Sequence, residues 1–298
     1  MTDFNRGTGL LVIEVRNSNP NGDPDQESDP RTYSDTGHGL ISPVSFKRKL
    51  RDLVAEEEGA AMELATERLG LGSKGDENAY GILESRGRDR KAIEKMDAEA
   101  FSRAYWDGRV FGNTFLESIK NTKTKPEDIA HFISTGTVQI GLGVSLAPVE
   151  IERLTQTNKS GVQEGKDRGM APLGFRVVRH GLYTMPLFVN PMMARRNGCT
   201  ARDIELLKFL IPHAYSQTAS ASRPFVSVVQ AWYVEHKNPL GSCPDPLLID
   251  SLTPTYNGEP SAPSQSLADY ELKTADALGE QAERIASVTD LCHAGAAA

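Results

Sequence analysis

"LLVIEVR" at residues 10–16, "NSNPNGDPDQESDP" at 17–30 and "SPVSFKRKLRDLV" at 42–54 decide how the chain is read. In the first stretch Leu11, Ile13 and Val15 alternate with Val12, Glu14 and Arg16, the period of a strand with one strongly buried face. In the third, Ser42 followed by Pro43 is a helix start, a hydroxyl cap with proline at the first helical position. Phe46, Leu50, Leu53 and Val54 then recur at helical spacing, predicting a helix over 43–58. The polar, proline-broken stretch between them admits three uses: a metal loop, a solvated connection, or a loop that lays amides and side chains along a ligand.

Working outward, residues 59–135 read as an insertion, with helical pieces around 60–69 and 89–105 and "WDGRVFG" at 106–112. "TGTVQIGLGVSLAPVEI" (135–151) predicts one long strand with Val138, Ile140, Leu142, Val144 and Leu146 on one face and a nearly bare opposite face. "FRVVRHGLYTMPLFV" (175–189) is a further strand pattern, expected to break near Pro186. Between the two lies a polar, glycine-containing excursion over 155–174, too long for a hairpin turn. Thr200 with Asp203 resembles a capping box for a second helix carried by Ile204, Leu207, Leu210 and Ile211, ending or kinking at Pro212. "FVSVVQAWYV" (225–234) is the last strand. Residues 239–298 form a Pro-, Ser- and acid-rich extension with one helix expected near 266–290. The order strand, helix, strand, strand, helix, strand predicts an α+β class of ferredoxin-like or RRM-like βαββαβ topology, over 1–238, with large insertions.

At 298 residues and 39% hydrophobic content the chain fills one large or two ordinary domains. Residues 1–9 are polar and the apolar run after them stops at Arg16, so no signal peptide is expected, and no stretch approaches the roughly 18 apolar residues of a membrane span. Cys199, Cys243 and Cys292 lie far apart, odd in number and in no metal spacing, which fits a reducing cytoplasm. The net charge of −7 does not report distribution: acids gather at 23–35, 56–67 and 245–287, and Lys and Arg at 47–51, 86–91, 166–179 and 195–202.

Counted from Asn17, the opening loop puts oxygens at Asn17, Asn19, Asn21 and Asp23 with Gly22 in sixth place, superficially a calcium loop. Ser28 stands where a bidentate acid is needed and a strand precedes in place of a helix, so no metal is assigned. "GLGSKG" (70–75) has the spelling of a dinucleotide turn, but follows a helix instead of a strand and reads as a helix cap. No nucleophile elbow, H-x-x-x-H or Cys–His spacing occurs, and no cofactor is indicated.

"FKRKLRDLV" (46–54) is more informative. At about 100° per residue, Lys47, Arg48 and Arg51 project opposite the apolar stripe with Lys49 at the flank, a cationic face suited to phosphate or simply to water. The excursion adds Lys159, Lys166 and Arg168, followed by Arg176 and Arg179; such a segment suits a ligand's backbone, where position matters more than base identity, or is a disordered surface loop.

"NSNPNGDPD", "TGHGLISPVSFKRKLRD", "WDGRVFG" and "HGLY", in this order, resemble the backbone subunit of type I CRISPR surveillance (Cascade) complexes, a branch of the RAMP superfamily, most similar to subtype I-C. The resemblance covers roughly residues 8–235. It implies an RRM-like palm, an inserted finger-like region (59–135), a thumb hairpin (155–174), and several copies assembled along one CRISPR RNA with other Cascade subunits, target DNA being met through the guide. It further implies RNA contacts by Asn19 and Asn21 of the opening loop, by Lys47, Arg48, Lys49 and Arg51, by Arg109, by Lys159, Lys166, Arg168, Arg176 and Arg179, and by His180. "RVFGNTF" (109–115) is only reminiscent of the RRM base-stacking signature, so stacking on the sheet is not carried over. The expected protein is a non-enzymatic RNA-binding subunit. A metal-dependent ribonuclease using Asp23, Asp25 or Asp29 with His38, and a self-assembling structural protein without nucleic acid, are the alternatives.

Overall fold

The computed structural model describes residues 3–55, 59–72, 78–85, 90–93, 95–116, 131–159 and 170–294. The first strand, β1, runs Gly7–Ser18. The opening loop then folds into a small antiparallel ribbon of β2 (Gly22–Asp23) and β3 (Asp29–Pro30), and β4 (His38–Ile41) leads into helix α1 (Pro43–Ala55). Next come α2 (Ala60–Leu69), a turn of helix α3 (Arg90–Ile93), α4 (Ala98–Ala104), α5 (Trp106–Phe111) and a ribbon of β5 (Gly112–Leu116) and β6 (His131–Thr135). Strands β7 (Val138–Ile140), β8 (Gly143–Pro148), β9 (Ile151–Lys159) and β10 (Met170–Val189) follow. Helices α6 (Pro191–Asn197) and α7 (Ala201–Leu210) and strand β11 (Val226–His236) come after them. The C-terminal residues supply α8 (Asp245–Leu252), a ribbon of β12 (Thr255–Tyr256) and β13 (Tyr270–Glu271), β14 (Ile285–Asp290) and α9 (Leu291–Ala294).

This is a mixed α+β fold on one large antiparallel sheet of order β14-β11-β1-β10-β8-β4, with β7 and β9 also paired to β10. On one face Leu11, Ile13 and Val15 pack with Phe46, Leu50 and Leu53 of α1, Met62 of α2 and Ile204 and Leu207 of α7. The opposite face of β1 is buried as well. Leu10 packs with Trp232 and Val234 against Leu248, Leu252 and Leu278, and Val12 packs with Leu182 against Tyr270. The acid-rich C-terminal residues therefore form a second layer over the sheet, which is why β1 is buried continuously from Gly7 to Ile13 where alternation predicts one wet face.

Other expectations change with these contacts. The strand predicted over 135–151 is two strands: the chain breaks at Gly141 and Leu142, leaving Leu142 38% exposed and turning Gly143, Ser145 and Ala147 inward. The glycines explain the site of the break. A Cβ on Gly141 would lie 2.6 Å from Pro186 Cγ, and one on Gly143 would lie 2.9 Å from Met185 Cε. Pro186 itself continues β10, opposite Leu10, so the break expected there falls in the neighbouring strand instead. The helix expected near 266–290 is replaced by β13, 3-10 turns over Ala275–Arg284 and β14. Helix α1 is described to Ala55; 56–58 lie outside the described residues. The capping box of Thr200 and Asp203 is present, and α7 gives way at Ile211 to a 3-10 turn through Pro212.

Candidate nucleic-acid interface

The opening loop is stapled to the start of α1. Asn21 Oδ1 accepts from Ser42 N at 2.7 Å and its carbonyl accepts from Arg31 N at 3.0 Å, while Ser42 Oγ caps the helix through Ser45 N at 3.2 Å. Asn19 Nδ2 donates to Ser28 O at 2.8 Å. Asn17 adopts the left-handed region at φ 41°, which asparagine tolerates better than most residues. The asparagines thus fix the path of the backbone, and the loop's position beside α1 follows from it.

The cations of α1 meet different fates. Arg48 is exposed, with Nε on Asp52 at 2.7 Å and Nη1 on the Glu84 carbonyl at 3.2 Å. Lys47 and Lys49 are half-buried. Lys47 lies 5.3 Å from the Phe111 ring centre, and burial, followed by the Arg51 charge, pulls its pKa below the usual lysine range. Lys49 shifts the same way, through burial and then the Arg223 charge. Arg51 corrects the expectation of an exposed face: it is buried, with Nε 2.9 Å from Asp107 Oδ2 and Nη1 2.5 Å from Glu84 Oε2. Asp107 is itself held by the Leu83 and Glu84 amides at 2.7 and 3.1 Å.

Arg109 is a second correction. Its five N–H donors all have partners inside the protein: Nε and Nη2 on the two oxygens of Asp203 at 3.0 and 2.8 Å, Nη1 on the carbonyls of Ser102 and Arg103, and Nη2 on the carbonyl of Ala79. At 1% exposure it has nothing left to offer a phosphate. "WDGRVFG" is therefore an internal clip that joins α5 to α1 through Asp107 and to α7 through Arg109, with Trp106 Nε1 on the Asp203 carbonyl at 3.2 Å. His180 is also buried, its Nδ1 2.7 Å from Ser264 Oγ beneath the C-terminal layer, and burial holds its pKa below the usual histidine range.

At the base of the β9–β10 hairpin the arginines face carboxylates. Arg176 binds Glu27 through Nη2, Asp29 through Nε at 3.2 Å, and the carbonyls of Gln26 and Glu27 through Nη1. Arg153 adds a second bond to Asp29 at 2.9 Å. Arg179 is exposed between Glu150 and Glu152, at 3.1 and 3.5 Å. Lys159 ends β9 opposite Met170; its side chain, and Lys166 and Arg168 altogether, lie outside the described residues. As for the ribonuclease alternative, Asp29 is engaged by two arginines and Asp23 pairs with Arg31 at 3.3 Å. Among the described residues no group of three His, Cys, Asp or Glu side chains is placed to hold a metal ion, and no helix is long and apolar enough to cross a membrane.

Sequence reading missed Arg223, which approaches Lys49 from the turn before β11, and the partners Asp107 and Asp203 that draw Arg51 and Arg109 inward. Arg223 stands alone in a polar turn, without periodicity or neighbours to mark it.

Residues 5–275 match the family model described as CRISPR-associated protein Cas7. A curated relative, a CRISPR-associated protein Cas7 of Haloferax volcanii, is 29% identical over 238 residues, which span 75% of this chain and 68% of the relative. Among solved structures, a chain of a CRISPR RNA-guided surveillance complex in a pre-nicking state has 13% identity and a TM-score of 0.45 over 78% of both chains. A chain of a type III-B Cmr-beta complex bound to cognate target RNA has 9% identity and a TM-score of 0.40, over 78% of this chain and 61% of that one.

Proposed function

The chain belongs to the CRISPR-associated protein Cas7 family, and from that membership we propose that it is the repeating, CRISPR RNA-binding backbone subunit of a type I surveillance complex of the subtype I-C branch. In this reading several copies line one guide RNA beside other Cascade subunits in the cytoplasm, without catalysing a reaction themselves. The guide supplies sequence choice towards target DNA and the protein holds its backbone, a division of labour known from another RNA-guided effector.

The observation that carries the reading, beyond the family, is the surface made by α1 and the opening loop. Lys47, Arg48 and Lys49 are consecutive on α1, whose start is fixed to Asn21 of the opening loop. Neither lysine is among the ion pairs of the described residues, whereas Arg51, Arg109, Arg176 and Arg179 are matched to acids. The core strand order β11-β1-β10-β8, with α1 and α7 packed on one face, supports an RRM-like palm over 1–238 that carries a finger insertion at 59–135 and a thumb at 155–174. Residues 239–298 are a partly helical extension of it. Because that extension covers the sheet's second face, the RNA is held by its phosphates at α1 and not by bases stacked on the strands. Lys159, Lys166 and Arg168 of the thumb, and Arg179 at its base, complete the contact set.

Coexpression with a CRISPR array tests this. The purified protein should carry RNA of uniform length; a nucleic-acid-free oligomer, or RNA that is cut by the isolated chain when divalent metal is added, contradicts it.

A further inference from the structure

The opening loop has a second attachment, at its far end, where the turn between β2 and β3 meets the base of the β9–β10 hairpin. Arg153 and Arg176 stand directly opposite each other in that hairpin. Like charges in this register weaken a strand pair. Asp29 of β3 pairs with both, Oδ2 lying 2.9 Å from Arg153 Nη2 and Oδ1 3.2 Å from Arg176 Nε, so the loop supplies the carboxylate that turns the repulsion into attraction.

The turn is held in return. Glu27 and Ser28 lie in the left-handed region, at φ 49° and 66°, which residues of these types keep only where surrounding contacts enforce it. Arg176 supplies such contacts: Nη1 donates to the carbonyls of Gln26 and Glu27 at 3.2 and 2.8 Å, and Nη2 pairs with the Glu27 carboxylate. With Asp29 included, one planar guanidinium collects backbone and side-chain oxygens of a single turn, which the point charge of a lysine cannot reproduce. The ribbon behind the turn is braced by Ser28 N on the Asp23 carbonyl and Asn19 Nδ2 on the Ser28 carbonyl, both at 2.8 Å, and Asn21 ties it to Ser42 at the start of α1. A continuous path of hydrogen bonds and ion pairs thus runs from α1 to the hairpin.

We propose that Arg176 is a positioning residue: with Asp29 and Glu27 it makes the opening loop a strut that fixes the direction in which the β9–β10 hairpin leaves the sheet relative to α1. The purpose of the strut rests on the RNA-binding reading above, in which the helix holds the strand and the hairpin acts between copies. Its mechanics do not.

The test combines hydrogen exchange of the amides at 151–155 and 174–178 with binding of the whole protein to a short and a long oligouridylate. It compares the wild type, Arg176→Lys, Asp29→Asn, and Asp29→Asn combined with Arg153→Gln. Asp29→Asn leaves the two arginines facing each other, so exchange at the hairpin base should quicken by about tenfold as local opening becomes easier. Cooperative coating of the long RNA should then need about tenfold more protein, within the usual range of coupling between sites, with short-RNA affinity and melting temperature unchanged. Arg176→Lys should act in the same direction. Adding Arg153→Gln to Asp29→Asn removes the repulsion and should return both readings towards wild type, a rescue that a loop merely resting on the hairpin would not give. Wild-type exchange in both Asp29→Asn and Arg176→Lys overturns the strut. Quickened exchange with wild-type coating of long RNA overturns the positioning role and leaves RNA binding intact. A wild type that binds neither RNA overturns the functional reading, and exchange still decides whether the strut exists.

Discussion

Arg109 and Asp203 are joined by two hydrogen bonds, Nε to Oδ2 at 3.0 Å and Nη2 to Oδ1 at 2.8 Å, between side chains 1% and 0% exposed. The pair joins α5 to the first turn of α7, where Asp203 also completes the capping box. Breaking a buried pair from one side leaves the other charge without compensation, at a cost of about 3–5 kcal/mol. Arg109→Met should lower the denaturation midpoint by a corresponding amount. A variant of unchanged stability that no longer binds RNA would return Arg109 to the RNA surface.

On α1, Lys47→Ala with Arg48→Ala should weaken RNA binding and leave the fold nearly as stable. The exposed Arg48–Asp52 pair contributes roughly 0.3–0.5 kcal/mol, and the Lys47–Phe111 contact about 0.5–1 kcal/mol. Adding Arg51→Ala should destabilise sharply, because Asp107 then lies buried without its cation. Unchanged RNA affinity in the double variant would make this a merely solvated face.

What could be read from sequence was local. The strand at β1, the cap and stripe of α1, the capping box of α7 and the strand at β11 each lie within a dozen residues, and all are present. What could not be read depends on distant partners. Arg51 is drawn inward by a carboxylate 56 residues away and Arg109 by one 94 residues away, and a helical projection sees neither. The second layer escaped for a related reason: its Leu248, Leu252, Tyr270 and Leu278 sit in short, proline-broken pieces whose apolar residues find their period only against the sheet. Arg223 carries no local signal, and its charge is felt at Lys49, 174 residues away in sequence, only once the chain is folded.

The second layer makes stability depend on pH. His236 is fully buried, its Nδ1 accepting from Ser242 N at 3.0 Å and its Nε2 2.9 Å from Thr8 Oγ1, which donates to Asp245 at 2.6 Å. Burial, outweighing the attraction of Asp245, holds its pKa below 6.5. The unfolded chain then binds more protons, so this contribution is complete above about pH 6.5 and is lost as pH falls towards the folded-state pKa. Burial lowers His180 and His213 in the same way. Urea midpoints should fall between pH 7.5 and 5.5, and His236→Asn should remove part of that slope. A midpoint that rises on acidification contradicts the assignment.

Replacing 157–170 with a short Gly-Ser connection tests the thumb. The pairing of β9 with β10 extends from Ile151 and Val178 up to Lys159 and Met170, away from the β1–β10 core register. The melting temperature should therefore change little, while cooperative coating of long RNA is abolished and binding to a short oligonucleotide falls less. Assemblies of unchanged size on long RNA would make this segment a passive loop.

The central claim, that the protein grips a single RNA strand by its phosphates, is tested most directly by the salt dependence of its affinity for unstructured RNAs of different sequence. The account predicts a linear fall of log K with log salt, with a slope of about −0.7 for each phosphate neutralised, and nearly the same line for every sequence. Binding that does not change with salt, or that follows one sequence and ignores the others, would contradict it.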